Sequence, residues 1–258
     1  MTHDENLNPP SRLSRIETLW SVIKVAHQQA PDSANSQKLA EAQQKLLELY
    51  GSAIKRYLLA SVRNPDIADE LFQDFAVRFV KGEFKSADPT KGRFRSFVKT
   101  VLARMIALHF RKLKSSKEKH VSDKMELESA DDSKPEDEVV FLASWREELL
   151  ARTWTALAQF DAGHGTCHDT ILRIRVSDPS LSSEQLAHQI ELATGSQTSP
   201  GSARVKVHRA REKFAEILID VVSDSLESRE RHEIEGELIE LGLIDYCKEA
   251  LGKSHPQA

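Results

Sequence analysis

Apolar residues recur at the spacing of an α-helix along most of the chain, and this period limits the fold more than any other feature of the sequence. From residue 37 to 62 the apolar positions follow a period of 3.6 residues. A second stretch steps by four residues along one face, through Ile67, Leu71, Phe75 and Phe79. Because a half-buried strand would instead alternate apolar and polar side chains, the period predicts an all-α fold.

Charge divides these helical stretches into two groups. Residues 121–138 are rich in Asp, Glu and Ser and follow a strongly basic stretch. Such a composition is typical of a flexible linker that cannot bury enough apolar surface to fold. We therefore expect two helical domains joined by a flexible acidic linker. The expected parts are a disordered N-terminus (1–12), a first domain (13–120), the linker (121–138), a second domain (139–225) and a C-terminal helical extension (226–258).

Cysteine content and hydropathy indicate the cellular compartment in which the protein is expected. The chain has two cysteines, Cys167 and Cys247, which make no disulfide framework and favour a reducing cytoplasm. The first residues lack the apolar run of a signal peptide, and no stretch approaches the roughly 20 apolar residues that span a bilayer. The sequence therefore predicts a soluble, cytoplasmic protein with no membrane contact.

An acidic helix is expected after Asn64 and Pro65, since Asn caps helices and Pro is tolerated at the first helical position. Polar and acidic residues line the face that lies away from its apolar stripe. An acidic face can serve solubility alone, and a functional one needs a basic partner. The residues of this face are Asp66, Asp69, Glu70, Gln73 and Asp74.

A basic helix is expected next, from about Arg93 to Leu113. Between Lys91 and His120 ten residues are basic and one, Glu118, is acidic. Such a cluster can neutralise phosphates, although charged runs are usually plain solvated faces. The expected buried stripe of this helix is Phe94, Phe97, Val98, Val101, Leu102, Met105 and Ile106.

Residues 182–218 have the pattern of a helix-turn-helix. Ser182 or Ser183 can cap the first helix, residues 194–201 form a turn, and a longer helix runs from Ser202 to about Ser225. Its expected contact residues are short or cationic side chains near its start, and the alternative is an ordinary surface helix with a basic face. The expected apolar back is Val205, Phe214, Ile217 and Leu218. One further acidic helix is expected over 230–251.

Known catalytic and metal-binding patterns are missing from the sequence. His164, Cys167 and His168 offer at most three ligands, and no second Cys/His pair has the spacing of a structural zinc site. No Gly-rich phosphate loop, nucleophile elbow or metalloprotease helix occurs. We expect no metal, no cofactor and no enzymatic activity.

Two pairs of segments carry a resemblance to a known family. DIADELFQDFAVRFV followed by KGRFRSFVKTVLARMIALHFRK resembles bacterial RNA polymerase sigma factors of the extracytoplasmic-function (ECF) type. HDTILRIRVSDPSLSSEQLAHQI followed by VKVHRAREKFAEILIDVVSDSL resembles the sigma-four domain of large ECF-like factors from planctomycete-type bacteria. The tail ELIELGLIDYC is similar to the C-terminal extension of that subgroup. The resemblance spans most of residues 13–251.

The resemblance implies a role for each charged surface. The acidic helix of a sigma-two domain binds a coiled coil of the polymerase β′ subunit, which falls here on Asp66, Asp69, Glu70, Gln73 and Asp74. The next helix and the loop before it bind the minus-ten promoter element, which falls on Lys91, Arg93, Arg95, Lys99, Arg104, His109, Arg111 and Lys112. The sigma-four recognition helix reads the minus-thirty-five element, which falls on Ser202, Arg204, Lys206, His208, Arg209 and Arg211.

The implied partners are core RNA polymerase, through its β′ coiled coil and its β flap, and promoter DNA. Regulation is left open between an anti-sigma factor and the C-terminal extension of the chain itself. Two other functions fit the sequence less well: a stand-alone helix-turn-helix regulator, which leaves the acidic face without a role, and an all-helical adaptor that binds no DNA.

Overall fold

The computed structural model describes residues 33–81, 83–84, 94–117, 135–226 and 229–254. Within these ranges the chain is helical and contains no strand, which confirms the predicted all-α fold. The predicted N-terminal segment and most of the predicted linker lie outside the described residues. The helices are α1 (Ser33–Val62), α2 (Pro65–Val80), α3 (Phe94–Lys117), α4 (Pro135–His164), α5 (His168–Ser177), α6 (Ser183–Thr194), α7 (Pro200–Ser223), α8 (Arg231–Glu240) and α9 (Ile244–Ser254).

Helix α2 begins with the predicted Asn cap and first-turn proline. The side chain of Asn64 accepts hydrogen bonds from the backbone N–H groups of Asp66 and Ile67, and Pro65 occupies the first turn. The face of α2 that packs on α1 buries Leu71, Phe75 and Phe79, as the four-residue spacing predicts. The acidic residues are consequently directed away from the core.

One hydrophobic cluster, the main core, joins both halves of the chain. It combines side chains of α1, α2 and α3 with the first half of α4, the second half of α7, and α8 and α9. Trp145 of α4 stacks on Tyr50 of α1 at 4.6 Å between ring centroids, and Phe141 packs edge-on against Tyr57. Helix α4 begins at Pro135, inside the segment predicted as linker, and so brings these aromatic residues onto α1.

A second, smaller cluster lies under the helix-turn-helix. It combines Leu157 of α4 with buried residues of α5, α6 and the first half of α7. Helices α4 and α7 therefore run through both clusters, and the change from one cluster to the other falls within these helices.

The C-terminal extension folds as two helices, and the prediction of one helix over 230–251 is wrong. Gly242 adopts φ = 65°, a left-handed conformation that ends α8 after Leu241. The N–H of Leu243 donates to the carbonyl of Leu238 and the N–H of Gly242 donates to that of Ile239, which is the Schellman pattern. Leu238 and Leu243 are both buried, so the turn is fixed by the main core.

Candidate nucleic-acid interface

The helix-turn-helix is built by strong local signals at each boundary. Helix α6 begins with a capping box, in which the Ser182 hydroxyl accepts from the Gln185 N–H and the Gln185 side chain accepts from the Ser182 N–H. It ends at Gly195, whose φ of 68° is left-handed. Ser199 then caps α7, which begins at Pro200. Helix α7, the predicted recognition helix, therefore starts two residues earlier than predicted.

The inner face of α7 packs closely on α6. Ala203, Val207 and Ala210 of α7 are buried in the second cluster together with Leu186 and Ile190 of α6. Small side chains at two of these positions let the helices approach closely. Val205 was expected on this inner face, but it is 49% exposed and lies on the outer side, so that prediction is wrong.

The outer face of α7 presents most of the sequence-predicted minus-thirty-five residues to solvent. Ser202, Arg204, His208, Arg209 and Arg211 are exposed, and Lys206 is half-buried. These residues lie in the first half of α7. The structure thus places the six predicted residues within the N-terminal half of one helix.

Neutral hydroxyl groups position two of these cations. The Arg204 Nε donates to the Ser183 Oγ at 2.7 Å, and the Lys206 Nζ donates to the Thr198 Oγ1 at 2.8 Å. A hydroxyl acceptor carries no charge, so these two bonds fix the side chains without neutralising them. Arg204 also interacts electrostatically with the Glu184 carboxylate and helps to lower its pKa. In a further contact, the His208 Nε2 lies 3.4 Å from the Glu212 Oε1.

Two acids near the start of α6, Asp178 before it and Glu184 in its first turn, are held by local hydrogen bonds. The Ser180 hydroxyl and N–H both donate to Asp178 and lower the pKa of its carboxyl group. The N–H of Glu184 and the Ser182 hydroxyl lower the pKa of the Glu184 carboxyl group. These hydrogen bonds therefore favour the ionised form of both acids.

Two of the sequence-predicted minus-ten residues form ion pairs with carboxylates, unlike Arg204 and Lys206 of α7. Arg95 is 6% exposed and lies between α3 and α8, where its guanidinium binds the carboxylates of Glu237 and Glu240. Lys99 pairs with Glu138 of α4 at 3.0 Å. Arg104 and His109 are half-buried, and Arg111 and Lys112 are exposed. Lys91 and Arg93 lie outside the described residues.

The predicted polymerase-binding residues lie on the solvent side of α2. Asp66, Asp69, Glu70 and Gln73 are exposed, and Asp74 is partly covered. Asp69 lies 3.5 Å from the Lys55 Nζ of α1, and Asp74 accepts from the Arg78 Nε at 2.9 Å. Both ion pairs remain open to water, so the face as a whole stays acidic and accessible.

The residues considered for a metal site have other contacts. The ring of His164 stacks on Phe160 with 4.0 Å between centroids, and its Nδ1 lies 2.8 Å from the Phe160 carbonyl oxygen. Elsewhere in the described part of the chain, His208, Glu212 and Glu249 place one ligand atom each within 4.8 Å of one another. The sequence did not reveal this group, since Glu249 approaches through the fold of α9.

The sequence did not reveal which two acids bind Arg95. Glu237 and Glu240 were assigned only to an acidic helix, yet they hold a predicted DNA contact that lies 142 and 145 residues earlier. Charge complementarity between that helix and the basic helix was the available signal, but it does not identify the partner residue.

Comparisons with known proteins identified no relative of the chain. No protein-family model matches the chain, and neither a curated protein nor a solved structure matches it. Among the helices of the described residues, none is both long enough and apolar enough to cross a membrane. Both cysteines are free thiols, Cys167 half-buried and Cys247 buried.

Proposed function

We propose that the chain is an ECF-type sigma factor, which binds core RNA polymerase and directs it to promoters. The observation that carries this proposal is the helix-turn-helix of α6 and α7, because its packed inner face leaves Arg204, His208 and Arg209 exposed on its outer face. A helix of this kind can enter a major groove, with cations on phosphates and base edges.

The acidic face of α2 supports the polymerase half of the proposal. Four of its five residues are exposed, Asp74 is partly covered, and the ion pairs with Lys55 and Arg78 are open to solvent, so a basic partner surface can compete for them. The β′ coiled coil is the partner that the sigma-factor resemblance implies for this face, and the β flap is the second polymerase contact. In this role the chain supplies specificity and no catalytic residue, and it acts in the cytoplasm where the polymerase transcribes.

The direct test is transcription in vitro from genomic fragments with core polymerase, with and without this chain. We expect initiation at a small set of defined start sites only when the chain is present. Failure of the folded chain either to bind core polymerase or to direct initiation would refute the proposal.

The polymerase contact is tested by Asp69→Lys with Asp74→Lys. We expect at least about a tenfold loss of affinity for core polymerase, or about 1.4 kcal/mol, with the helix content unchanged. The matched control is Glu235→Lys with Asp245→Lys, since these acids also form exposed ion pairs, with Arg231 and Lys248. Both variants change the charge equally and break two such pairs. Equal affinities of the two variants would remove the assignment of the α2 face.

A stand-alone helix-turn-helix regulator is the second candidate. It is favoured by the ion pairs of Arg95 and Lys99, which direct DNA contacts to α7 in this conformation. Such a regulator binds its operator duplex tightly without polymerase. A sigma factor instead gains its promoter affinity from core, so measuring duplex affinity with and without core separates the two functions.

A further inference from the structure

Helix α8 holds the guanidinium of Arg95 with two carboxylates. The Arg95 Nε donates to the Glu237 Oε1 at 2.9 Å and the Nη2 donates to the Glu237 Oε2 at 3.2 Å, a two-point contact with one carboxylate. The same Nη2 also donates to the Glu240 Oε2. Arg95 is 6% exposed and Glu237 is 2% exposed, so the contact is shielded from water.

Two carboxylates contact the one guanidinium of Arg95, and 52% of the Glu240 side chain is exposed at the surface. Carboxylates bind a guanidinium in the same forked geometry as phosphates do. The two acids of α8 therefore occupy the donors of Arg95 that a nucleic-acid phosphate would use.

Contacts other than the ion pair also hold α8 in place. Leu238, Leu241 and Leu243 are buried in the main core, and the turn at Gly242 is fixed by backbone hydrogen bonds. Replacing a buried ion pair by apolar side chains is often neutral or stabilising, so a buried pair is weak evidence for stability and a better candidate for a switch or for register. The pair is thus a candidate for control of what α3 can bind.

The docking of α8 also connects the two predicted DNA-binding helices. The second half of α7 contributes Leu218, Val221 and Val222 to the same main core as α3 and α8. While α8 remains docked, α3 and α7 belong to one packed unit. Release of α8 would therefore uncover Arg95 and loosen the connection between the two helices in one step.

We propose that α8 is an autoinhibitory clamp, in which Glu237 and Glu240 occupy Arg95 in place of DNA and keep the minus-ten helix from binding until α8 is released. This inference rests on the proposed sigma-factor function, since it assigns Arg95 to DNA. It makes the C-terminal extension a competitor of the promoter for α3.

The test compares two full-length variants of equal charge. Glu237→Gln with Glu240→Gln weakens the clamp, and Glu235→Gln with Asp245→Asn removes two acids of α8 and α9 whose ion pairs are with Arg231 and Lys248 instead. The probe is a 30-nucleotide single-stranded DNA of mixed sequence. We expect the clamp variant to bind at least about tenfold more tightly than the wild type, with a salt slope steeper by about 0.7 for one additional phosphate contact. We expect less than about a twofold gain for the control.

Equal gains in the two variants would overturn the clamp and leave the proposed function intact. If folded wild type, clamp variant and control all fail to bind DNA, with or without core polymerase, the proposed function itself falls, and the clamp falls with it. Circular dichroism shows whether each variant is folded.

A measurement on the wild type does not depend on how a variant folds. Hydrogen exchange of the α8 amides, residues 231–240, is followed with and without saturating single-stranded DNA. We expect faster exchange of α8 when DNA is bound, since Arg95 is covered by α8 and reaches a phosphate only after α8 moves. Unchanged protection of α8 in the DNA complex would overturn the proposal.

Discussion

The two basic helices, α3 and α7, have similar compositions, but the cations at their starts contact different groups. At the start of α3, Arg95 and Lys99 are neutralised by carboxylates of α8 and α4. At the start of α7, Arg204 and Lys206 donate to the neutral hydroxyls of Ser183 and Thr198. Both helices carry an apolar side that packs and a basic side. What differs is the chemistry of the acceptor that each cation meets.

The difference shows that a run of positive charge does not by itself define a DNA-binding surface. On α7, Arg204 and Arg209 face solvent although α4, α5, α6 and α9 pack on other sides of the helix. On α3 an acidic helix from the far end of the chain covers the first turn. Tertiary structure therefore decides whether the cations of a basic helix pair with acids or face solvent. Substitutions in each helix test this difference.

The largest expected effect is on stability when Arg95 is removed. Arg95→Ala removes the guanidinium that binds the buried Glu237 carboxylate, and removing one member of a buried pair costs about 3–5 kcal/mol. Arg209→Ala removes the same side chain from the exposed face of α7 and should change the free energy of unfolding by no more than about 0.5 kcal/mol. Urea denaturation followed by circular dichroism gives both values. Similar values for the two variants would mean that Arg95 is as solvated as Arg209.

The two cysteines provide a test of the docked extension. Burial raises the pKa of the Cys247 thiol to about 12, because the thiolate would lie in the main core beside Leu251. Cys167 is half-buried at the start of α5, under the helix-turn-helix. At pH 8 we expect a thiol-specific disulfide reagent to modify Cys247 at least about 100-fold more slowly than Cys167, since the thiolate is the reactive form. Mass spectrometry of the modified peptides assigns the rates, and comparable rates would show that α9 is not docked.

The local elements of the fold could be predicted from the sequence because their causes are local. Asn64 and Pro65 marked the start of α2, and Ser182 marked the start of α6. The four-residue spacing of Leu71, Phe75 and Phe79 identified the face that packs. Gly242 between two leucines was an available signal for the end of α8 that the prediction of one helix did not use.

The contacts between distant parts of the chain could not be predicted in the same way. Arg95 and Glu237 lie 142 residues apart, and each has many partners of opposite charge in the sequence. Helical period placed Val205 on the inner face of α7, although the approach of α6 selects Ala203 and Val207 instead. Which carboxylate meets which cation depends on how the helices dock, and that is a property of the whole core.

A smaller effect is expected on duplex DNA binding through α7. Arg204→Ala with Arg209→Ala should weaken binding of a mixed-sequence duplex by about 30-fold at 0.1 M salt and reduce the salt slope by about 2, as two phosphate contacts are lost. Arg231→Ala with Lys248→Ala is the control, since it removes the same charge from α8 and α9. Fluorescence anisotropy at several salt concentrations measures both quantities. An equal loss in the control would indicate that net charge rather than the α7 face governs binding.

The smallest effect is expected at the second ion pair of α3. The carboxyl group of Glu138 is half exposed, whereas the Lys99 side chain is 15% exposed, so water already screens one partner of this pair. Glu138→Gln should therefore change the free energy of unfolding by less than about 1 kcal/mol, in contrast to Arg95→Ala on the same helix. Urea denaturation of the two variants under identical conditions makes the comparison. A cost for Glu138→Gln near that for Arg95→Ala would place both cations in the same buried environment, and α3 would then be held by α4 as firmly as by α8.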